Sequence, residues 1–267
     1  MDKEIHPYIE LHSGFNQRWR YLIVGTFPPK RGCKERKDLF PFFYGNRGSF
    51  WDLLRETELY PEFNFMSIDD IKRWQKTYSI GITDVLKSCL RKPGKECSPA
   101  DSNLIVNYDE DLNTELKAYV LENIDHIQKI YFTSGSEDEG SKSAYFLFAK
   151  LLGQDFKKLP RTKLVKLPSP SGEFLRSVFS KSKKDFGLKP YFYIFLKSNY
   201  PDALEVAKGT FEAKKIAPKT RINRNGKVVP LITKRFPNCL DYPSLYRIGE
   251  YKKLLPNEPL IETEPSQ

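Results

Sequence analysis

Residues 21–29 read Tyr-Leu-Ile-Val-Gly-Thr-Phe-Pro-Pro, a short apolar run that ends in glycine and passes at once into turn residues. Apolar side chains on both faces mark a buried parallel strand, since a strand with one wet face would alternate. Working outward, three more segments read as strands: Ile80-Gly-Ile-Thr-Asp-Val-Leu86, Lys129-Ile-Tyr-Phe-Thr133 and Thr162-Lys-Leu-Val-Lys-Leu-Pro168. Helical signals fall between them. Ser49 with Asp52 opens Phe50–Glu56, and Ser67 with Asp70 repeats that capping pattern before Ile71. Asp109–Glu122 sets Leu112, Leu116, Tyr119 and Val120 at helical spacing, and Ser141–Leu152 is amphipathic. This order predicts an α/β fold: a three-layer α/β/α core around a central, mainly parallel four-stranded sheet, plus a basic C-terminal extension. In such sheets ligands sit beyond the carboxyl ends of the strands. Three strands end in polar or turn-rich segments (GTFPP, TSGS, LPSPSG), while GITDVL holds Thr83 and Asp84 within the strand. A cleft lined by these segments is expected.

The charge balance points to a polyanionic partner. Lys and Arg number 44 against 34 Asp and Glu, a net charge of +10, and aromatics reach 14%. Basic residues interleaved with rings suit nucleic acid, though rings also fill cores. The surplus is uneven. Residues 214–235 form a dense basic block within an extension spanning 201–267, which opens with a predicted helix, Ala203–Lys215. There Asn225-Gly226 signals a hairpin and Pro230 confines its second strand to an edge. The last dozen residues, rich in Pro and Glu, are expected to fray.

Several classes are excluded. The start is mixed in charge, and nowhere do about 18 apolar residues follow one another, so no membrane partner and a cytoplasmic location are expected. Cys33, Cys89, Cys97 and Cys239 form no CxxC pair, and His6, His12 and His126 show no ligand spacing. No metal is expected, and reduced thiols are the default. Neither GxGxxG nor a GKS/GKT phosphate loop occurs, which argues against dinucleotides and nucleoside triphosphates.

Joined in order, GTFPP (25–29), FFYGNRGSFWDLL (42–54), GITDVL and LPSPSG resemble the motifs of the uracil-DNA glycosylase superfamily. The likeness is strongest to its hypoxanthine-DNA glycosylase-like branch and covers roughly residues 20–180. It implies a glycosylase-like domain over 1–200; no cofactor is expected, and no iron–sulfur cluster, because the four cysteines match no cluster pairing. The implied enzyme is a monomeric DNA N-glycosylase that flips a deaminated base, uracil or hypoxanthine, out of DNA and hydrolyses its glycosidic bond.

The resemblance also assigns roles. Gly25, Thr26, Phe27 and Pro28 would wall the base pocket, and Phe43 or Tyr44 would stack on the base while the other packs in the core. Asp84 stands where relatives carry an Asn that reads the base edge; capping or a salt bridge is its alternative role. As a carboxylate it accepts from a ring N–H but cannot donate to the neighbouring carbonyl. Ser169, Pro170 and Ser171 match a phosphate-contacting turn, and Phe174, Leu175 and Arg176 would supply the wedge that fills the gap left by the flipped nucleotide, with core packing as the alternative for Phe174 and Leu175.

For catalysis the branch uses an Asn just before its Phe-Trp. Gly48 holds that offset here and Asn46 lies two residues earlier, so Asn46 is the catalytic candidate, with a turn role as its alternative. Phe27 and Leu167 stand where other branches place Asp or Asn and His or Asn. Those departures leave open a module that binds DNA or a modified base without cleaving it. A third possibility is an α/β enzyme acting on a small nucleotide or nucleoside.

Overall fold

The structure is a computed structural model. It describes residues 2–12, 14–30, 41–45, 50–98, 100–170, 178, 184–205, 208, 220–222, 228–230 and 242–260. Two compact units divide the chain, Met1–Ser171 with Glu250–Gln267, and Gly172–Gly249. The division falls at residue 172, not at the composition shift near residue 200, and the C-terminal residues belong to the first unit. Hydrogen bonds tie them there: Leu260 N donates to Thr77 O at 2.8 Å, and Tyr60 Oη donates to Pro256 O. Within the last dozen, residues 256–260 are therefore anchored, not frayed; 261–267 lie outside the described residues.

The first unit is α/β. Strands β2 (Tyr21–Gly25), β3 (Ile80–Asp84), β6 (Lys129–Phe132) and β7 (Leu164–Lys166) form a four-stranded sheet in the order β3-β2-β6-β7, parallel throughout. Leu22 and Val24 of β2 and Ile130 and Phe132 of β6 share one cluster with two helices: Leu116 and Val120 of α4 (Thr114–Asn123), and Leu147, Phe148 and Leu151 of α5 (Ala144–Leu152). The alternate residues Ile23, Ile82 and Tyr131 are buried as well, which explains the unbroken apolar run of β2. Trp51 of α2 (Phe50–Glu56) and Trp74 of α3 (Ile68–Tyr78) meet edge to face at 5.8 Å, and Trp74 also meets Tyr60.

Element ends differ from the sequence reading in instructive ways. Ser67 caps α3 as expected, its side chain accepting from Asp70 N at 3.4 Å. The helix expected over Asp109–Glu122 begins only at Thr114, because Asn113 is its cap and accepts from Leu116 N at 3.2 Å. Leu112 instead bridges to Leu86. The strand expected over 162–168 shortens to Leu164–Lys166, since Arg161–Lys163 coil into a 3-10 turn. Asn113 Nδ2 also donates to Asp84 O at 3.1 Å, so Asn113→Ala removes both a cap and a loop tie. A loss of about 1–2 kcal/mol in urea unfolding is expected.

A second, antiparallel sheet went unread in the sequence. It joins β1 (Glu4–Ile5), β4 (Ser88–Arg91) and β5 (Leu104–Ile105) in the order β1-β4-β5. Arg91, almost wholly buried, clamps it: Nε donates to both Glu4 carboxylate oxygens, Nη1 to Ser98 O and Nη2 to Pro28 O. The clamp thereby holds the loop that follows β2.

In the second unit, helix Pro190–Asn199 starts with proline in its first turn and buries Phe192 and Leu196 with Val178, Leu188, Ala203 and Leu204. Residues 201–205 are helical; the remainder of the predicted helix to Lys215 is, apart from residue 208, outside the described residues. Strands Thr220–Ile222 and Val228–Pro230 pair antiparallel, with Ile222 opposite Val228. The Asn225-Gly226 turn between them and most of the 214–235 block are outside the described residues. Helix Tyr242–Leu254 runs across the unit boundary. Among the described residues no helix is long and apolar enough to cross a membrane.

Candidate functional site

Parallel register brings Gly25 of β2 opposite Asp84 of β3 and Val24 opposite Phe132 of β6. Thr133 continues β6, its N–H donating to Val24 O at 3.1 Å, and Leu167 continues β7, its N–H donating to Phe132 O at 2.9 Å. Gly25, Asp84, Thr133 and Leu167 therefore share one level at the carboxyl edge of the sheet. From β2 the chain passes to β3 on one side and later reaches β6 on the other, so the reversal point lies at β2 and β6. A crevice at that point is where parallel sheets take ligands.

Asp84 is the central group. It is 3% exposed, and its Oδ2 lies 2.9 Å from His6 Nε2. His6 Nδ1 accepts from two backbone donors, Tyr8 N and Ile9 N, each at 3.1 Å. Nδ1 thus has no proton, and the ring proton sits on Nε2 and is donated to Asp84. The β1–β4 pairing places His6, whose own N–H donates to Lys87 O at 2.8 Å. The opening of α1 (Ile9–His12) supplies the Ile9 N–H that fixes the tautomer.

Tyr44 Oη stands 3.5 Å from Asp84 Oδ1 and 3.4 Å from Thr133 Oγ1. Burial first, then the Asp84 charge, pushes the Tyr44 hydroxyl well above its ordinary pKa, against the opposing Thr133 bond. The phenol stays protonated and able to donate. Tyr44 adopts the left-handed backbone region, φ 56°. Both polar atoms occupy the space over Gly25, where a Cβ would lie 2.1 Å from Tyr44 Oη and 2.2 Å from Asp84 Oδ1. Only glycine lets both groups come this close to the strand.

Next to this group lies a hydroxyl–carboxylate triangle. Thr26 Oγ1 and Ser134 Oγ approach Asp101 Oδ2 at 3.0 and 3.2 Å and each other at 3.1 Å. Ser134 Oγ also accepts from Ala144 N at 2.8 Å, fixing it to the start of α5.

The candidates named from sequence divide clearly. Gly25, Thr26, Tyr44 and Asp84 come together, and Asp84 is held by a buried hydrogen bond from His6. Phe27 is half-buried, its ring edge-on to His6 at 5.2 Å, and the Pro28 carbonyl is held by Arg91. Phe43 is the core member of its pair. It is 1% exposed and enclosed by His6, Tyr8 and Phe42, so it offers a base no open face. Ser169 is half-buried and Pro170 buried, in a turn whose Pro168 carbonyl accepts from Tyr251 Oη at 3.1 Å. Leu167 is buried and apolar. Asn46, Gly48, Ser171, Phe174, Leu175 and Arg176 lie outside the described residues.

Sequence reasoning missed His6, Asp101 and Tyr251; Thr133 and Ser134 lay in a strand-end segment already singled out. Cys89 is a free thiol, its pKa pushed up to about 12 chiefly by burial, so it is inert. Cys97 is disulfide-bonded, so the default of reduced thiols does not hold there. Among the described residues no group of three or more His, Cys, Asp or Glu could hold a metal ion. No family model, curated protein or solved structure matches the chain. What the site can do is therefore a matter of its own atoms. It presents a buried carboxylate acceptor, a protonated phenol donor and a second carboxylate held by two hydroxyls.

Proposed function

We propose that the chain is a DNA-base glycosylase that flips a deaminated base, uracil or hypoxanthine, into the crevice at β2 and β6 and hydrolyses its glycosidic bond. The observation that supports this best is the Asp84 carboxylate, held by His6 at a parallel-sheet edge, beside a hydroxyl donor and over a glycine. Such a site suits a flat, polar-edged ring. Extruding a base from duplex costs a few kcal/mol, roughly, and polar contacts to its edge offset that. The negative charges of Asp84 and Asp101 favour the cationic sugar that develops as the bond breaks. Asn46 is the proposed water-positioning residue, and the 214–235 block the proposed phosphate-binding surface. The reading includes a three-layer core, for which burial of both faces of β2 and β6 speaks.

Binding without cleavage is the second reading. It is favoured by Leu167, an apolar buried residue at the strand end where leaving-group support would be placed, and by Phe27, which cannot orient water.

The test is to incubate purified full-length protein, in excess, with oligonucleotides holding a single uracil or hypoxanthine and to follow release of free base. Release is expected. Salt-sensitive binding with no released base selects the second reading, and neither binding nor release overturns both.

A further inference from the structure

We propose that the second unit, Gly172–Gly249, is a binding module for single-stranded nucleic acid, and that its docking face is the exposed side of helix Pro190–Asn199. The inference goes beyond the base-cleavage reading and does not depend on it, because the face lies on a different unit from the crevice.

The first observation is where the charge resides. Gly172–Gly249 holds 16 Lys and Arg against 6 Asp and Glu, whereas the first unit holds 28 basic and 28 acidic residues. The whole net charge of +10 therefore belongs to the second unit, and the α/β unit is formally neutral. A neutral unit exerts little long-range pull on a polyanion. A unit this basic attracts one and holds it by releasing counterions.

The second observation is the helix itself. Phe192 and Leu196 are fully buried and pack with Val178, Leu188, Ala203 and Leu204. The opposite side carries Tyr191, Ile194, Lys197 and Ser198, all exposed and one helical turn apart or less. Tyr191 is 36% exposed and Ile194 60%. Lone apolar residues on a surface are ordinary. Here an aromatic and an aliphatic side chain adjoin, with exposed Lys189 at one end of the helix and Lys197 at the other, so apolar surface and positive charge share one strip. The Tyr191 ring is backed by Tyr246 at 5.3 Å and 33°, and Tyr246 packs edge-on against Phe192 and Phe195. A ring already held in place loses little freedom when a base stacks on it.

These two features select among polyanions. Duplex DNA hides its base faces and would engage the charge while leaving Tyr191 and Ile194 without a role. An unpaired strand offers phosphates and base faces together. A bilayer surface asks for a broad apolar helix face, and the apolar face of this helix is spent on the core.

The test measures fluorescence anisotropy of the full-length protein with an undamaged oligonucleotide of about 16 nucleotides, single-stranded or annealed to its complement. The single strand is expected to bind at least tenfold more tightly than the duplex. Tyr191→Ala should weaken it about tenfold with no change in salt dependence, and Tyr191→Phe should stay within twofold of the parent, since stacking needs the ring and not the hydroxyl. Ile194→Glu, at a position too exposed to threaten the fold, should also cost about tenfold, and it decides the matter if Tyr191→Ala fails to fold. Lys189→Gln combined with Lys197→Gln should flatten the log–log salt slope by about 1.4, about 0.7 for each lost phosphate contact. The proposal is overturned by equal or tighter binding of duplex, by Ile194→Glu within twofold of the parent, or by no binding of the single strand. It is also overturned if these substitutions weaken binding to phosphatidylserine-containing vesicles and leave oligonucleotide binding intact. Base release from damaged DNA despite any of these results removes only the single-strand module. Single-strand preference with no base release removes only the glycosylase reading.

Discussion

His6→Ala is expected to destabilise the first unit by about 3 kcal/mol, the cost of leaving a buried carboxylate without its hydrogen-bond donor. Asp84 and His6 are 3% and 5% exposed, so water does not take the place of the lost imidazole. The lone Oδ1 contact at 3.5 Å does not compensate either. The substitution has a second effect, because the Nδ1 acceptor of the Tyr8 and Ile9 N–H groups disappears at the start of α1. Denaturant unfolding of the single variants His6→Ala and Asp84→Ala and of the double variant measures the coupling. The double variant is expected to lose much less than the two singles together, since removing both partners leaves no uncompensated charge. Strict additivity would show that the 2.9 Å contact contributes nothing.

The contrast between His6 and Asp84 shows what the sequence makes legible. Asp84 stood out through the motif resemblance, and a carboxylate in an apolar parallel strand also demands a partner. Its partner did not. His6 lies 78 residues away, and what delivers it is a two-residue strand, Glu4–Ile5, too short to leave any periodic signature. Glu4 and Arg91 look like ordinary surface charges in the sequence, yet Arg91 is 4% exposed and fixes the loop after β2. β2 and β6 were legible because nearly all their residues are buried, which imposes apolar runs; β7, half-buried to exposed, was legible from its short apolar pair and the proline stop after it. Their ends were less so. Local hydrogen bonding at Asn113 and the turn at Arg161–Lys163 trimmed elements that hydrophobic spacing alone would extend. The 201–267 extension reads as basic and polar, but Tyr251 within it is fully buried and reaches the Pro168 carbonyl. Composition averages over a segment and so hides one buried ring.

Two glycines in adjacent strands separate function from stability. At Gly25 the added methyl of Gly25→Ala meets only the far ends of two side chains, Tyr44 Oη at 2.1 Å and Asp84 Oδ1 at 2.2 Å. Each must retreat by roughly 1 Å or more, Asp84 against its 2.9 Å bond from His6. A misplacement of that size costs about 10²-fold where polar groups must meet a ligand in register. Uracil affinity and base release are therefore expected to fall about a hundredfold, with a loss of about 1–3 kcal/mol in unfolding free energy. At Gly81 the same methyl meets Trp19 Cδ1 at 2.5 Å and Leu22 Cδ2 at 2.8 Å. Neither can yield easily. Leu22 is completely buried, and Trp19 is held by bonds from its ring to Gly14 O at 2.9 Å and from its backbone N–H to Tyr119 Oη at 2.7 Å. Overpacking there is expected to cost about 3 kcal/mol in stability while base affinity, measured below the unfolding temperature, stays within twofold of the parent. Equal losses of affinity in both variants would mean that the space over Gly25 is part of the core and not of a binding site.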